Sequence, residues 1–119
     1  MKYSESLKKN KDFRFVYENG KSYANKYLVM YVLKNGSNRN RIGISVSKKV
    51  GNSVVRHRLT RLIREAYRLN EDLYDQGLDM IFVVRANGKD IGYHQMASAM
   101  VHVSNIHKVL KRRDNNENN

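Results

Sequence analysis

The sequence contains no cysteine, which excludes disulfides and thiolate metal sites and agrees with a reducing, cytoplasmic setting. Proline is absent too, so glycine and asparagine must supply the turns. No run approaches the ~18 apolar residues of a membrane-spanning helix. The opening MKYSESLKKNKDF carries charge but lacks the apolar stretch of a secretory signal. No repeat and no linker divides the 119 residues, a length that fits one domain. Acids are scarce, 11 against 23 lysines and arginines, for a formal net charge of +12. That balance favours polyanions as partners, nucleic acid or an anionic membrane surface.

Groups for chemistry are equally thin. His57, His94, His102 and His107 show no metal-ligand spacing with carboxylates. No Ser/His/Asp arrangement, phosphate-binding loop or carboxylate pair stands out. A protein nuclease needs positioned acid and base groups or a metal cage, so no catalytic residue and no metal ligand is assigned.

What remains is a pattern of elements. Asn10 is a good helix N-cap, Phe13, Val16 and Tyr17 share one helical face, and Gly20 stands where a helix would stop. Residues 22–34 read as one strand, with Tyr23, Asn25, Tyr27, Val29 and Tyr31 on one face and Leu28, Met30 and Val32 on the core face. NGSNRN at 35–40 is a turn. RIGISVSKK follows as a strand whose Ile42, Ile44 and Val46 face the core, while Gly43, Ser45 and Ser47 make a low polar floor. Residues 53–69 form a long helix with Val55, Leu59, Leu62, Ile63 and Ala66 on its apolar face. LDMIFVVRA at 78–86 is a buried central strand. A last helix spans roughly 92–112 with Met96, Met100, Val103, His107 and Leu110 on its stripe. The order α-β-β-α-β-α, with room for one extra short strand near the first turn, makes an α+β fold: a small mixed sheet packed by helices. The first eight residues and the terminal DNNENN are expected to fray.

Two surfaces stand out. Residues 48–68 hold Lys48, Lys49, Arg56, Arg58, Arg61, Arg64 and Arg68 against one acid, Glu65. On a helical wheel Arg61, Arg64, Arg68 and His57 lie opposite the apolar arc, with Arg56 and Arg58 at its flanks. A charge run is ordinarily a solvated face, but such a face mixes signs to gain i,i+4 pairs. The arginine fork matches phosphate bidentately, and Lys48, Lys49, Gly51 and Asn52 sit at the helix N-terminus, where free N–H groups favour an anion. The second surface is Tyr23, Tyr27 and Tyr31 beside Gly43, Ser45 and Ser47, with Phe13 and Tyr17 as one wall if the first helix lies at the sheet edge. Those rings have two readings: a stacking groove for unpaired RNA bases, or packing beneath the first helix.

The runs RIGISVSKKVGNSVVRHRLTRLIREAYR and DFRFVYENGKSYANKYLVMYVL resemble the bacterial ribonuclease P protein family over roughly residues 7–110. The resemblance implies an αβββαβα-like order with a left-handed β-α-β crossover, a fold shared with a ribosomal-protein domain. It also implies a non-catalytic subunit of the endonuclease that removes the 5′ leader of precursor tRNA. In that family the RNA subunit is the catalyst and uses Mg2+ bound mainly through RNA. Carried over by position, Lys48, Lys49, Asn52, Arg56, His57, Arg58, Arg61, Arg64 and Arg68 would bind the catalytic RNA. Phe13, Tyr17, Tyr31 and Ser45, with Asn25 and Lys26 at the margin, would bind the leader. His57 stands where the family usually has Asn, and Thr60 where a basic residue is frequent. The partners expected are the RNA subunit and the precursor leader, with no membrane and no obligate protein partner. A ribosomal or tRNA-binding module, a stand-alone ribonuclease and an anionic-membrane binder are the competing classes.

Overall fold

The structure is a computed structural model that describes residues 1–111. The expected frayed DNNENN tail lies outside the described residues. Ten elements follow one another: β1 (Ser4–Ser6), α1 (Asn10–Asn19), β2 (Lys21–Ala24), β3 (Leu28–Lys34), β4 (Asn40–Ser45), α2 (Ser53–Asn70), a 3-10 turn (Glu71–Leu73), β5 (Leu78–Val84), a second 3-10 turn (Ala86–Gly88) and α3 (Tyr93–Ile106). The sheet order is β1-β4-β5-β3-β2. β4 lies parallel to β1 and to β5, so β4–α2–β5 is a parallel β-α-β unit, while β3 runs antiparallel to both β5 and β2.

Strand alternation assigns each face. Leu28 and Met30 of β3, Ile42 of β4, and Met80 and Phe82 of β5 point to the side covered by α2 and α3, where they join Leu59, Ile63, Met96, Met100 and Val103 in the main core. Among the described residues α1 is the helix that covers the opposite side, over a small cluster of Leu7, Val16 and Ile81. A helix of ten residues is too short to span the sheet, and this mismatch leaves part of that face open.

The sequence expectations need correction in four places. The N-terminus does not fray: Ser4–Ser6 pair with Asn40–Ile42 and Leu7 is buried. Glu71 fastens that strand, its carboxylate accepting from the Lys2 and Tyr3 N–H groups at 2.9 and 2.8 Å and from the Ser4 hydroxyl at 2.6 Å. Residues 22–34 are two strands, because Asn25 Oδ1 accepts from the N–H groups of Tyr27 and Leu28 and turns the chain. Asn10 begins α1 rather than capping it, while Gly20 stops the helix where expected, in extended backbone. Its role is close approach, since a Cβ there would lie 2.8 Å from the Val16 carbonyl oxygen and 2.9 Å from that of Val32. The last helix stops at Ile106: Lys108 adopts φ 59°, and Leu110 bridges to Tyr74 instead of extending the helical stripe.

Candidate RNA interface

The open face is best described in cross-strand rungs. Arg41, Asp79 and Leu33 form the first, Gly43, Ile81 and Tyr31 the second, and Ser45, Val83 and Val29 the third. α1 is tied down over the first two. Asp79, whose side chain is 3% exposed, accepts the Arg41 fork at 2.9 and 2.6 Å, and Arg41 reaches Asp12 of α1 at 3.5 Å. Phe13 lies directly over Gly43, where an added Cβ would come within 2.7 Å of its ring. The ring series continues from Phe13 to Tyr17 with centroids 6.3 Å apart, and from Tyr17 to Tyr31 edge-on at 4.8 Å. Beyond these rings the third rung is only half-buried. The result is a shallow groove with an aromatic wall and a floor of small and β-branched side chains.

This groove brings together Phe13, Tyr17, Tyr31 and Ser45. α1 lies across β3 and β5 rather than at the sheet edge. Tyr23 and Tyr27 are not on this face: Tyr23 pairs with Met30 in register and meets the His107 ring at 4.8 Å, and Tyr27 packs on the main core. The turn at Asn25 resets the alternation and turns Tyr23 over. Asn25 itself is occupied in holding the turn, with Nδ2 donating to the Ala99 carbonyl at 2.9 Å. Lys26 follows it on the α3 side, 5.4 Å from the Tyr27 ring centroid.

β4 runs from the groove floor to the second surface. Lys48 and Lys49 are exposed in the loop after it, and Asn52 caps α2 by accepting from the Val55 N–H at 3.0 Å. The arginines of α2 then divide by what their forks already hold. Arg56 donates to the Gly51 carbonyl at 3.0 Å. Arg58 donates to the carbonyls of Ile91, at 3.0 Å, and of Lys89, binding the loop before α3. Arg68 forks onto Glu65 at 3.0 and 2.7 Å; that hydrogen bond holds the Glu65 carboxyl below its ordinary range and raises the Arg68 guanidinium. Arg61 and Arg64 are exposed and make no hydrogen bond or ion pair among the described residues, and neither does His57. Ser53, Val54, His57, Arg58 and Arg61 line a shallow depression of about 320 Å3 on the outer face. The wheel could locate these arginines on the helix; it could not show that Arg58 is spent on backbone carbonyls 31 and 33 residues away.

Among the described residues no group of three or more His, Asp or Glu side chains is placed to hold a metal ion. None of the helices among the described residues is long and apolar enough to cross a membrane.

A small α+β domain with a mixed sheet, an arginine-lined helix and a shallow aromatic groove beside it defines a protein of the RNA-binding class. The family model described as Ribonuclease P matches residues 1–108. The ribonuclease P protein component of Lachnoclostridium phytofermentans is 56% identical over 115 residues, covering 97% of this chain and 99% of its own. The RNase P protein of Staphylococcus aureus superposes with a TM-score of 0.83 at 37% identity, covering 89% of this chain and 97% of that one. That of Thermotoga maritima gives 0.77 at 28%, covering 82% and 93%. The chain belongs to the ribonuclease P protein family, whose role lies in maturing the 5′ end of tRNA and whose members associate with the ribonuclease P RNA.

Proposed function

We propose that this chain is the non-catalytic subunit of ribonuclease P, which grips the catalytic RNA with α2 and lays the single-stranded 5′ leader of precursor tRNA in the α1-side groove. The observation that carries the proposal is the path of β4. Ser45 floors the groove, and three residues later Lys48 opens the cationic surface. A strand leaving the groove along β4 meets Lys48, Lys49 and the N-terminus of α2, where phosphate is favoured. Within α2, Arg61 and Arg64 reach phosphates directly, while Arg56 and Arg58 shape the surface that carries them. Bases stack on Tyr31 and Tyr17, a contact that suits any base and gives no sequence preference. Magnesium enters through the RNA subunit, and the cleavage chemistry belongs to that RNA.

The test is cleavage of precursor tRNA at low magnesium with RNA subunit alone, protein alone, and both. Cleavage only with both, or strongly enhanced with both, supports the proposal; cleavage by the protein alone refutes the non-catalytic role. Tyr31→Ala should weaken binding of leader-bearing precursor by about 1–3 kcal/mol, one lost stack, and leave mature tRNA unaffected. Equal losses for both would remove the leader from the groove.

A further inference from the structure

On the side of the sheet away from α1, the β2–β3 turn and the outer side of α3 enclose a second groove of about 480 Å3. Lys26 and Tyr27 form one wall and His94, Ser98 and His102 the other. The three α3 residues are exposed and spaced i, i+4, i+8, a stripe along one side of the helix with about 6 Å between steps.

Asn25 sets the chemistry of this groove. Two backbone N–H groups donate to one end of its amide, which fixes that end as oxygen and the other as the NH2 group. The NH2 group lies 3.2 Å from His102 Nδ1, and since it can only donate, Nδ1 accepts. In the neutral ring the hydrogen is therefore on Nε2, at the far edge, available to the groove. Lys26 braces its stem near the Tyr27 ring, 5.4 Å from ammonium to centroid, and keeps its charge at the mouth. The groove thus presents an ammonium, an imidazole N–H and a hydroxyl beside Tyr27 and Ala99, and no Asp or Glu among the described residues lines it. These donors favour an occupant that offers hydrogen-bond acceptors and negative charge.

We infer that this groove holds the sugar–phosphate backbone of a second stretch of single-stranded RNA, separate from the α1-side groove. Phosphates meet Lys26 and Ser98, and His102 Nε2–H donates to a phosphate or 2′-hydroxyl oxygen. The inference rests on the RNA-binding reading above, and two strands could supply the same chemistry: a distal part of the leader, or an unpaired segment of the RNA subunit.

Because the chain has no cysteine, Ser98→Cys gives a single thiol for an aryl-azide photocrosslinker in the reconstituted holoenzyme with precursor tRNA. Ser45→Cys serves as the matched probe of the first groove. An RNA adduct from position 98 is expected. An adduct that vanishes when mature tRNA replaces precursor identifies the leader, and one that persists without substrate identifies the RNA subunit. No adduct at 98 while position 45 reacts overturns this inference alone; silence at both positions fails the RNA-binding reading as well. Proximity is separated from binding by Ser98→Glu, which should weaken affinity for the adducted RNA roughly fivefold, as one misplaced surface charge would. Its thermal midpoint should be unchanged. Unchanged affinity in that variant also overturns the inference.

Discussion

Arg58 and Arg61 lie three residues apart on α2, yet their replacement should fail in different ways. Arg61 is exposed and has no partner among the described residues, so Arg61→Ala removes one phosphate contact and little else. The log–log dependence of RNA affinity on salt should become shallower by about 0.7–0.9, with the thermal midpoint unmoved. Arg58 already donates to the Lys89 and Ile91 carbonyls. Charge-assisted bonds of this kind contribute about 1.5–3 kcal/mol when dry. Arg58 is solvent-exposed, so screening reduces the pair to about 1 kcal/mol. For a chain of this length that is a fall of about 4 °C in thermal midpoint. Arg58→Ala should also speed amide exchange across residues 88–92, while the salt slope stays near that of the wild type. The assays are RNA binding across a salt series, a thermal melt and hydrogen exchange on the three proteins. An Arg58→Ala slope as shallow as that of Arg61→Ala, with melt and exchange unchanged, would refute the division of labour.

Gly43→Ala puts a methyl group 2.7 Å from the Phe13 ring. Displacing the ring should cost about 1–3 kcal/mol and reduce the preference for precursor over mature tRNA, measured by denaturation and paired binding titrations. Asn25→Ala removes four side-chain hydrogen bonds, within the β2–β3 turn and from it to α3; a loss of about 2 kcal/mol is expected, with the salt slope unchanged. Glu71 gives a pH signature. Burial pushes its carboxyl up, but the Ser4 hydroxyl and the Lys2 and Tyr3 N–H groups together outweigh burial and hold it below the ordinary 4.5. A depressed folded-state pKa means that the stabilisation is present above pH 4.5 and drains away as pH falls through the lower folded value. An acid titration followed by exchange at residues 2–6 should show the first strand loosening below pH 4.5 in the wild type and little pH dependence there in Glu71→Gln.

Where neighbouring residues alone decide, the sequence is a sufficient guide. The alternation in RIGISV places Ile42 against the main core and Gly43 under Phe13, because a strand has only two faces. The apolar arc of α2 is equally plain, and Leu59, Ile63 and Ala66 are buried as the wheel requires. Distant partners cause two of the failures, at β1 and at Arg58, and a local side-chain turn causes a third. Ser4–Ser6 has no strand-forming residue types, and its place in the sheet depends on β4 and on Glu71, 67 residues beyond Ser4. Tyr23 and Tyr31 share a face only if the strand is continuous; the Asn25 side chain breaks it and sends them to opposite sides. Arg58 looks like Arg61 in any pattern of charge, and only the carbonyls across from it tell the two apart.

The Glu71 clasp bears on how the chain assembles as it is made. The first strand to leave the ribosome pairs with β4 and is fastened by a carboxylate that follows α2, so it has no local hairpin to join while waiting. It cannot be fastened until Glu71 has been made, 67 residues after Ser4. At about 5–20 residues per second, that leaves a polar strand of Ser-Glu-Ser unfastened for several seconds. The short, charged composition that hid β1 from a propensity reading is the one that keeps such an edge from pairing with the wrong neighbour.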